Sequence, residues 1–181
     1  MSREKTIAKL IGVFRQYGYE GTTLSRLSKA TGLGRASLYH YFPRGKEEMA
    51  AAVLEYVNRW FETTVLASLR TSDNPSQRLR VMCQNINEFY SQGQETCLLN
   101  IMSFGEANDL FHASIQQALK TWIDQLAKVL VEAGIEPEVA RHKAEDAVIQ
   151  IQGVLVLVRA FDDIAPFERV LANLPEKLLD D

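Results

Sequence analysis

Residues 23–42 read TLSRLSKATGLGRASLYHYF. The spacing of Leu24, Leu27, Leu33, Leu38 and Phe42 lets two short helices cross over one small apolar core. Ser28 is small where the second helix must come close, and Gly32 supplies the positive φ of a tight turn between them. Together these features describe a helix-turn-helix. In that geometry the second helix enters the DNA major groove near its N-terminus, while the first crosses the backbone.

Roles follow from position. Arg35, Ala36 and Ser37 open the second helix, where Arg can fork onto guanine O6/N7 and Ala can touch a thymine methyl. Tyr39 and His40 follow on its exposed side within reach of phosphates. Thr23 opens the first helix and offers a hydroxyl and free backbone N–H groups to phosphate. Lys46 does the same at the start of the helix that follows. Tyr41 and Phe42 are read as core.

Working outward, Ile7, Leu10, Ile11 and Phe14 recur at helical spacing in a preceding helix that Gly18 ends. Downstream, glycine and proline punctuate long stretches without period-two alternation. The pattern predicts helices over residues 46–69, 75–92, a short one from 96, then 108–133, 137–162 and a last from 166. The expected fold class is therefore all-α, about nine helices: an N-terminal three-helix DNA-binding domain over residues 1–48 and a helical regulatory and dimerisation domain over 49–181.

Charge divides at the same place. Residues 1–48 carry nine Lys/Arg against four Asp/Glu, a net of +5, whereas the remaining 133 carry 11 against 19, a net of −8. A basic end on an acidic body is the footprint of a polyanion-binding module. With 46% hydrophobic residues and a net charge of −3 over 181 residues, the chain is expected to fold. No apolar run approaches the roughly 18 residues of a membrane span. No signal peptide is evident, and two cysteines do not make a disulfide framework, so the expected location is the cytoplasm, with no membrane partner.

Residues 7–50 resemble the N-terminal domain of the TetR (tetracycline-repressor) family of bacterial transcriptional regulators. The resemblance is carried by Gly18-Tyr19 closing the first helix, Thr23 opening the second and Gly32-Leu33 in the turn. It is completed by the string Leu38-Tyr39-His40-Tyr41-Phe42, followed by Lys46. Ser28 stands where alanine is usual, and Pro43-Arg44-Gly45 is a variant of the loop before the lysine. The resemblance implies a homodimer on a pseudo-palindromic double-stranded operator, with a C-terminal domain that binds a small-molecule inducer of unknown identity.

The C-terminal sequence adds two seams of apolar residues spaced by four and three. One runs Ile115, Leu119, Trp122, Leu126, Val129, Ala133; the other runs Ala140, Ala144, Ala147, Ile151, Val154, Val158, Phe161. The second stretch is also apolar all round from Gly153 to Val158. This reads as the main dimer helix, with Ala144, Ala147, Ile151, Val154, Val158 and Phe161 at the interface; the alternative is a helix buried within one chain. Arg159 would need a partner if buried. A ligand pocket should lie among the middle helices, with Tyr56, Trp60, Met82, Ile86, Phe89, Met102, Phe104 and Trp122 as candidate lining and Asn85, Asn87 and Asn100 as polar handles.

Cys97 opens a predicted helix, where the dipole and free N–H groups can lower a thiol pKa. The string Thr96-Cys97-Leu98 resembles the Gly-Cys-Leu of a family subgroup in which some members sense electrophiles or oxidants, with Thr96 replacing the glycine. A thiol-based sensor is thus the alternative to ligand release, and a buried apolar cysteine the simpler reading of the residue. No catalytic or cofactor fingerprint is present, and the pairs Glu145-Asp146 and Asp162-Asp163 diverge on their helices. An enzyme is the remote alternative; no metal or cofactor is expected.

Overall fold

The computed structural model describes residues 2–180. Among the described residues there are nine α-helices and no strand: α1 Arg3–Tyr17, α2 Leu24–Thr31, α3 Arg35–Tyr41, α4 Lys46–Thr64, α5 Pro75–Phe89, α6 Leu98–Ile101, α7 Gly105–Glu132, α8 Pro137–Phe161 and α9 Ala165–Leu179. Two compact units form. The first takes residues up to Arg59 together with Leu98–Ile115; the second takes Trp60–Cys97 and Gln116 onward. The contact-defined first unit thus reaches beyond residue 48, because α4 continues through it and α6 and the start of α7 fold back into it.

In the first unit, Ser2 caps α1 by accepting from Lys5 N at 3.3 Å, and Ile7, Leu10, Val13 and Phe14 are buried. Thr23 caps α2 by accepting from Arg26 N, and Gly32 ends it in the left-handed conformation at φ 73° and ψ 13°. Ser28 Oγ donates to the Leu33 carbonyl, and Thr31 Oγ1 donates to Leu27 O at 2.8 Å while accepting from Leu33 N. The turn between the two short helices is therefore closed by side-chain hydroxyls as well as backbone. Leu27, Leu38 and Phe42 are fully buried, whereas Leu24 and Leu33 are half-buried at the rim.

Several boundaries differ from the periodicity. α4 stops at Thr64, and a 3-10 helix, Leu66–Arg70, follows. Thr63 and Thr64 hydroxyls both bond back to the Trp60 carbonyl, and Asn85 Nδ2 donates to Thr64 O, so the last carbonyls are satisfied without another α-turn. α5 stops at Phe89 because Ser91, Gln92 and Gly93 adopt φ of 47°, 60° and 86°. Gly93 lies against Phe167, whose ring would be 2.9 Å from any Cβ there. α7 starts at Gly105 rather than 108, with the Glu20 carboxylate lying beside its first residue. Pro175 does not end a helix but sits buried inside α9.

The α8 seam is a correction. Ala144, Ala147, Ile151, Val154 and Val158 are buried within one chain, and of the interface residues expected there only Phe161 is exposed. Their small side chains let α8 lie close along α9, which buries Phe167, Leu171, Leu174 and Leu178. The apolar surplus of the same stretch points outward instead: Ile149 is 66% exposed, Val156 57% and Phe161 69%, with Leu157 beside them. Arg159 is exposed and needs no buried partner.

Arg78 ties the second unit together. Its side chain is 8% exposed, with Nη1 donating to Leu69 O at 3.1 Å and Nη2 paired with Glu132 at 2.5 Å. It thereby closes the 3-10 helix and anchors the end of α7. Arg78→Ala is expected to lower unfolding free energy by about 1–3 kcal/mol, because the Leu69 carbonyl loses its donor and the buried stem its packing, while Glu132, 42% exposed, stays hydrated. A denaturant midpoint within error of wild type would contradict that role.

Candidate functional site

The first unit presents Arg35, Ala36, Ser37, Tyr39 and His40 in one exposed run along α3, while Leu38 between them is fully buried. That single inward residue fixes the helix rotation, so the five neighbours all face out. Tyr39 is held further by Gly45: at φ 69° this glycine leaves room for the ring, and a Cβ there would lie 3.3 Å from Tyr39 Cε1. Thr23 is exposed at the start of α2.

The structure adds neighbours that the sequence reading passed over. Ser25 and Lys29 share an open cleft of about 390 Å³ with Ser28, Gly32, Leu33, Gly34 and Arg35. Their i, i+4 spacing was the available signal, placing hydroxyl and ammonium on one face of α2. Arg26 is spoken for: its guanidinium stacks 3.9 Å from the Tyr17 ring centroid and donates to the Gly21 carbonyl.

Lys46 is half-buried at the first position of α4. Its Nζ donates to the Tyr19 carbonyl at 3.1 Å and lies 4.0 Å over the Tyr19 ring. The ammonium is thus oriented by the corner after α1 and keeps donors for a phosphate. Burial, reinforced by the carboxylates of Glu106, Glu47 and Glu20, holds the Tyr19 phenol above its ordinary pKa, so it is neutral beside that cation. Lys46→Ala is expected to weaken specific and random duplexes about equally and to flatten the salt dependence by about one counterion. Affinity unchanged from wild type for both DNAs across a salt series would remove Lys46 from the interface.

The residues expected to line a pocket divide between the units. Tyr56, Asn100, Met102 and Phe104 fall in the first, where Met102 is buried and Phe104 is exposed. The second gathers Trp60, Met82, Ile86, Phe89 and Trp122. Phe61, which the sequence reading did not name, links them: its ring centroid is 5.0 Å from Phe89 and 4.8 Å from Trp122, and Trp60 stacks 5.0 Å from Phe89. Trp122 is buried, yet its Nε1 finds no acceptor among the described residues. Gln152 Nε2 reaches Tyr90 Oη at 3.5 Å, and its Oε1 is likewise buried without a donor. Of the expected polar handles, the Asn85 side chain is engaged in ending α4, whereas Asn87 accepts from Gln92 N through its backbone carbonyl only.

Cys97 is 6% exposed and precedes a helix of only four residues. Burial pushes the Cys83 thiol up to about 12, far from the thiolate form at neutral pH. Among the described residues no helix is long and apolar enough to cross a membrane.

An exposed recognition helix on a compact basic unit, joined to a helical body with an aromatic interior, defines a helix-turn-helix DNA-binding regulator. Comparison with known proteins agrees. Residues 7–53 match the model of bacterial regulatory proteins of the TetR family, and residues 75–173 match the C-terminal domain of LmrA/YxaF-like transcriptional regulators. The chain belongs to the TetR family of transcriptional regulators, with a body of the LmrA/YxaF-like type. The HTH-type transcriptional regulator YxaF of Bacillus subtilis (strain 168) is 24% identical over 178 residues, 96% of this chain and 93% of its own. A TetR transcriptional regulator from Legionella pneumophila shares the fold at a TM-score of 0.83 and 19% identity, covering 98% of this chain and 97% of that one. AibR, crystallised in complex with isovaleryl coenzyme A and operator DNA, shares it at 0.63 and 22% identity over 83% and 85%.

Proposed function

We propose that the protein is a homodimeric repressor that leaves a pseudo-palindromic operator when a small, largely apolar ligand binds its C-terminal body. The observation that carries the DNA half is the outward run of Arg35, Ala36, Ser37, Tyr39 and His40, fixed by the buried Leu38. Two such helices must be held about 34–36 Å apart to meet successive major grooves, which a two-fold dimer provides. The exposed apolar row on α8 is the surface we assign to the mate.

The ligand half is supported by the aromatic cluster around Phe61, Phe89 and Trp122. An unpaired indole N–H inside an apolar cluster is costly, and an entering molecule with an acceptor atom would satisfy it. The fold neighbour AibR, held with an acyl coenzyme A and operator DNA, is consistent with ligand control in this architecture. Binding then acts by population shift: the ligand favours a conformation in which the recognition helices no longer match the operator.

The test is a gel shift of the DNA upstream of the protein's own gene against a panel of apolar small molecules and electrophiles. Release by an apolar molecule, unchanged in Cys97→Ser, supports the proposal. Release only by electrophiles, lost in Cys97→Ser, would establish the thiol sensor instead. Binding that no compound disturbs would leave a constitutive DNA-binding protein.

A further inference from the structure

α7 begins without a cap of its own. Phe104 occupies the cap position, and its carbonyl accepts from Asn108 N at 3.3 Å, but a phenyl ring offers no acceptor for the free N–H groups of the first turn. The carboxylate of Glu20, from the corner between α1 and α2, lies against Gly105 at this N-terminus, and its own backbone N–H, with those of Ala107 and Glu106, holds it below the ordinary carboxylate pKa. The approach is close: Gly105, at φ 56°, is a residue on which any Cβ would run into the Glu20 carboxylate. One residue earlier, the Tyr19 ring meets Phe111 of α7 edge-on, with centroids 5.8 Å apart. The same Tyr19 supplies the carbonyl and the ring face that hold the Lys46 ammonium.

Corner, α7 and α4 are thus joined through two consecutive residues. We propose that Glu20 is a positioning residue for DNA binding: by capping α7 it holds the Tyr19-Glu20 corner, and through Tyr19 the Lys46 ammonium, where DNA meets it. The proposal rests on the reading of Lys46 as a phosphate contact.

The sign of the effect distinguishes positioning from simple charge. Glu20 is an acidic residue on the basic unit, so its removal by itself strengthens attraction to DNA. As a positioning residue, its removal weakens it.

The experiment measures affinity for a mixed-sequence DNA duplex by fluorescence anisotropy across a salt series, with thermal melts of every variant. Glu20→Ala is expected to weaken binding about fivefold, the factor that loss of an ordinary helix cap is worth. Gly105→Ala, which alters no charge, should do the same by pushing the carboxylate away. In a Lys46→Ala background, Glu20→Ala should have no further effect, because the two act as one unit. Affinity unchanged or raised in Glu20→Ala overturns the proposal, as does a Glu20→Ala effect that persists in full without Lys46. Should Glu20→Ala fail to fold, Gly105→Ala and Glu20→Gln decide by the same criteria. Lys46→Ala alone tests the underlying phosphate contact: if it leaves duplex affinity unchanged, that reading fails whatever Glu20 does.

Discussion

Arg35→Ala is expected to lose tenfold to a hundredfold in operator affinity, about 1–3 kcal/mol, while binding to random duplex falls far less. Arg35 stands at the first position of α3, exposed, with Gly34 as a cap that carries no side chain to crowd it. A guanidinium there can fork onto a guanine edge. Lys46, by contrast, is read as a phosphate contact at a helix start, so its loss is expected to touch all sequences alike. The measurement is a pair of titrations, operator and scrambled duplex, at one salt concentration. Equal losses on both would make Arg35 a phosphate contact and move base reading to Ala36, Ser37 or the Ser25–Lys29 cleft.

Val156→Glu is expected to leave a folded monomer in place of the proposed dimer and to lower operator affinity on the order of 10²-fold or more, as two linked half-sites become independent. Val156 is 57% exposed in one chain and lies two helical turns from Ile149 on the same side, with Leu157 and Phe161 also exposed nearby, so a glutamate is tolerated in the protomer and intolerable across an apolar interface. Ala147→Glu on the opposite side of the same helix should unfold the protein, because Ala147 is fully buried. Sedimentation velocity and thermal melts on the pair separate the two faces. A dimeric Val156→Glu protein would place the interface elsewhere.

The DNA-reading unit was legible from residues because its constraints are local. A left-handed glycine, the Thr23 cap and the inward Leu27 and Leu38 fix two short helices, and α2 and α3 fall where the pattern places them. The α8 interface was misassigned for the opposite reason. Four-three spacing says that a helix has an apolar face, but both faces of residues 153–158 are apolar, and periodicity carries no label for which one meets α9 and which meets solvent. The small residues permitted close approach, and the approach is to a helix of the same chain. The aromatic candidates behaved similarly: helical spacing marked Phe89 and Trp122, yet Phe61, which joins them, carries no pattern of its own.

By itself, then, the sequence determined the helix-turn-helix, the all-helical class and the family, since those depend on spacings within a few residues and on side-chain type. The tertiary structure decided which face of α8 is free, where α5 breaks into three left-handed residues under Phe167, and that the carboxylate of an exposed glutamate after the first helix lies at the N-terminus of a helix that begins 85 residues later. A partner supplied from that far along the chain leaves no local signature. Only folding brings a carboxylate to backbone N–H groups that their own neighbours leave unsatisfied.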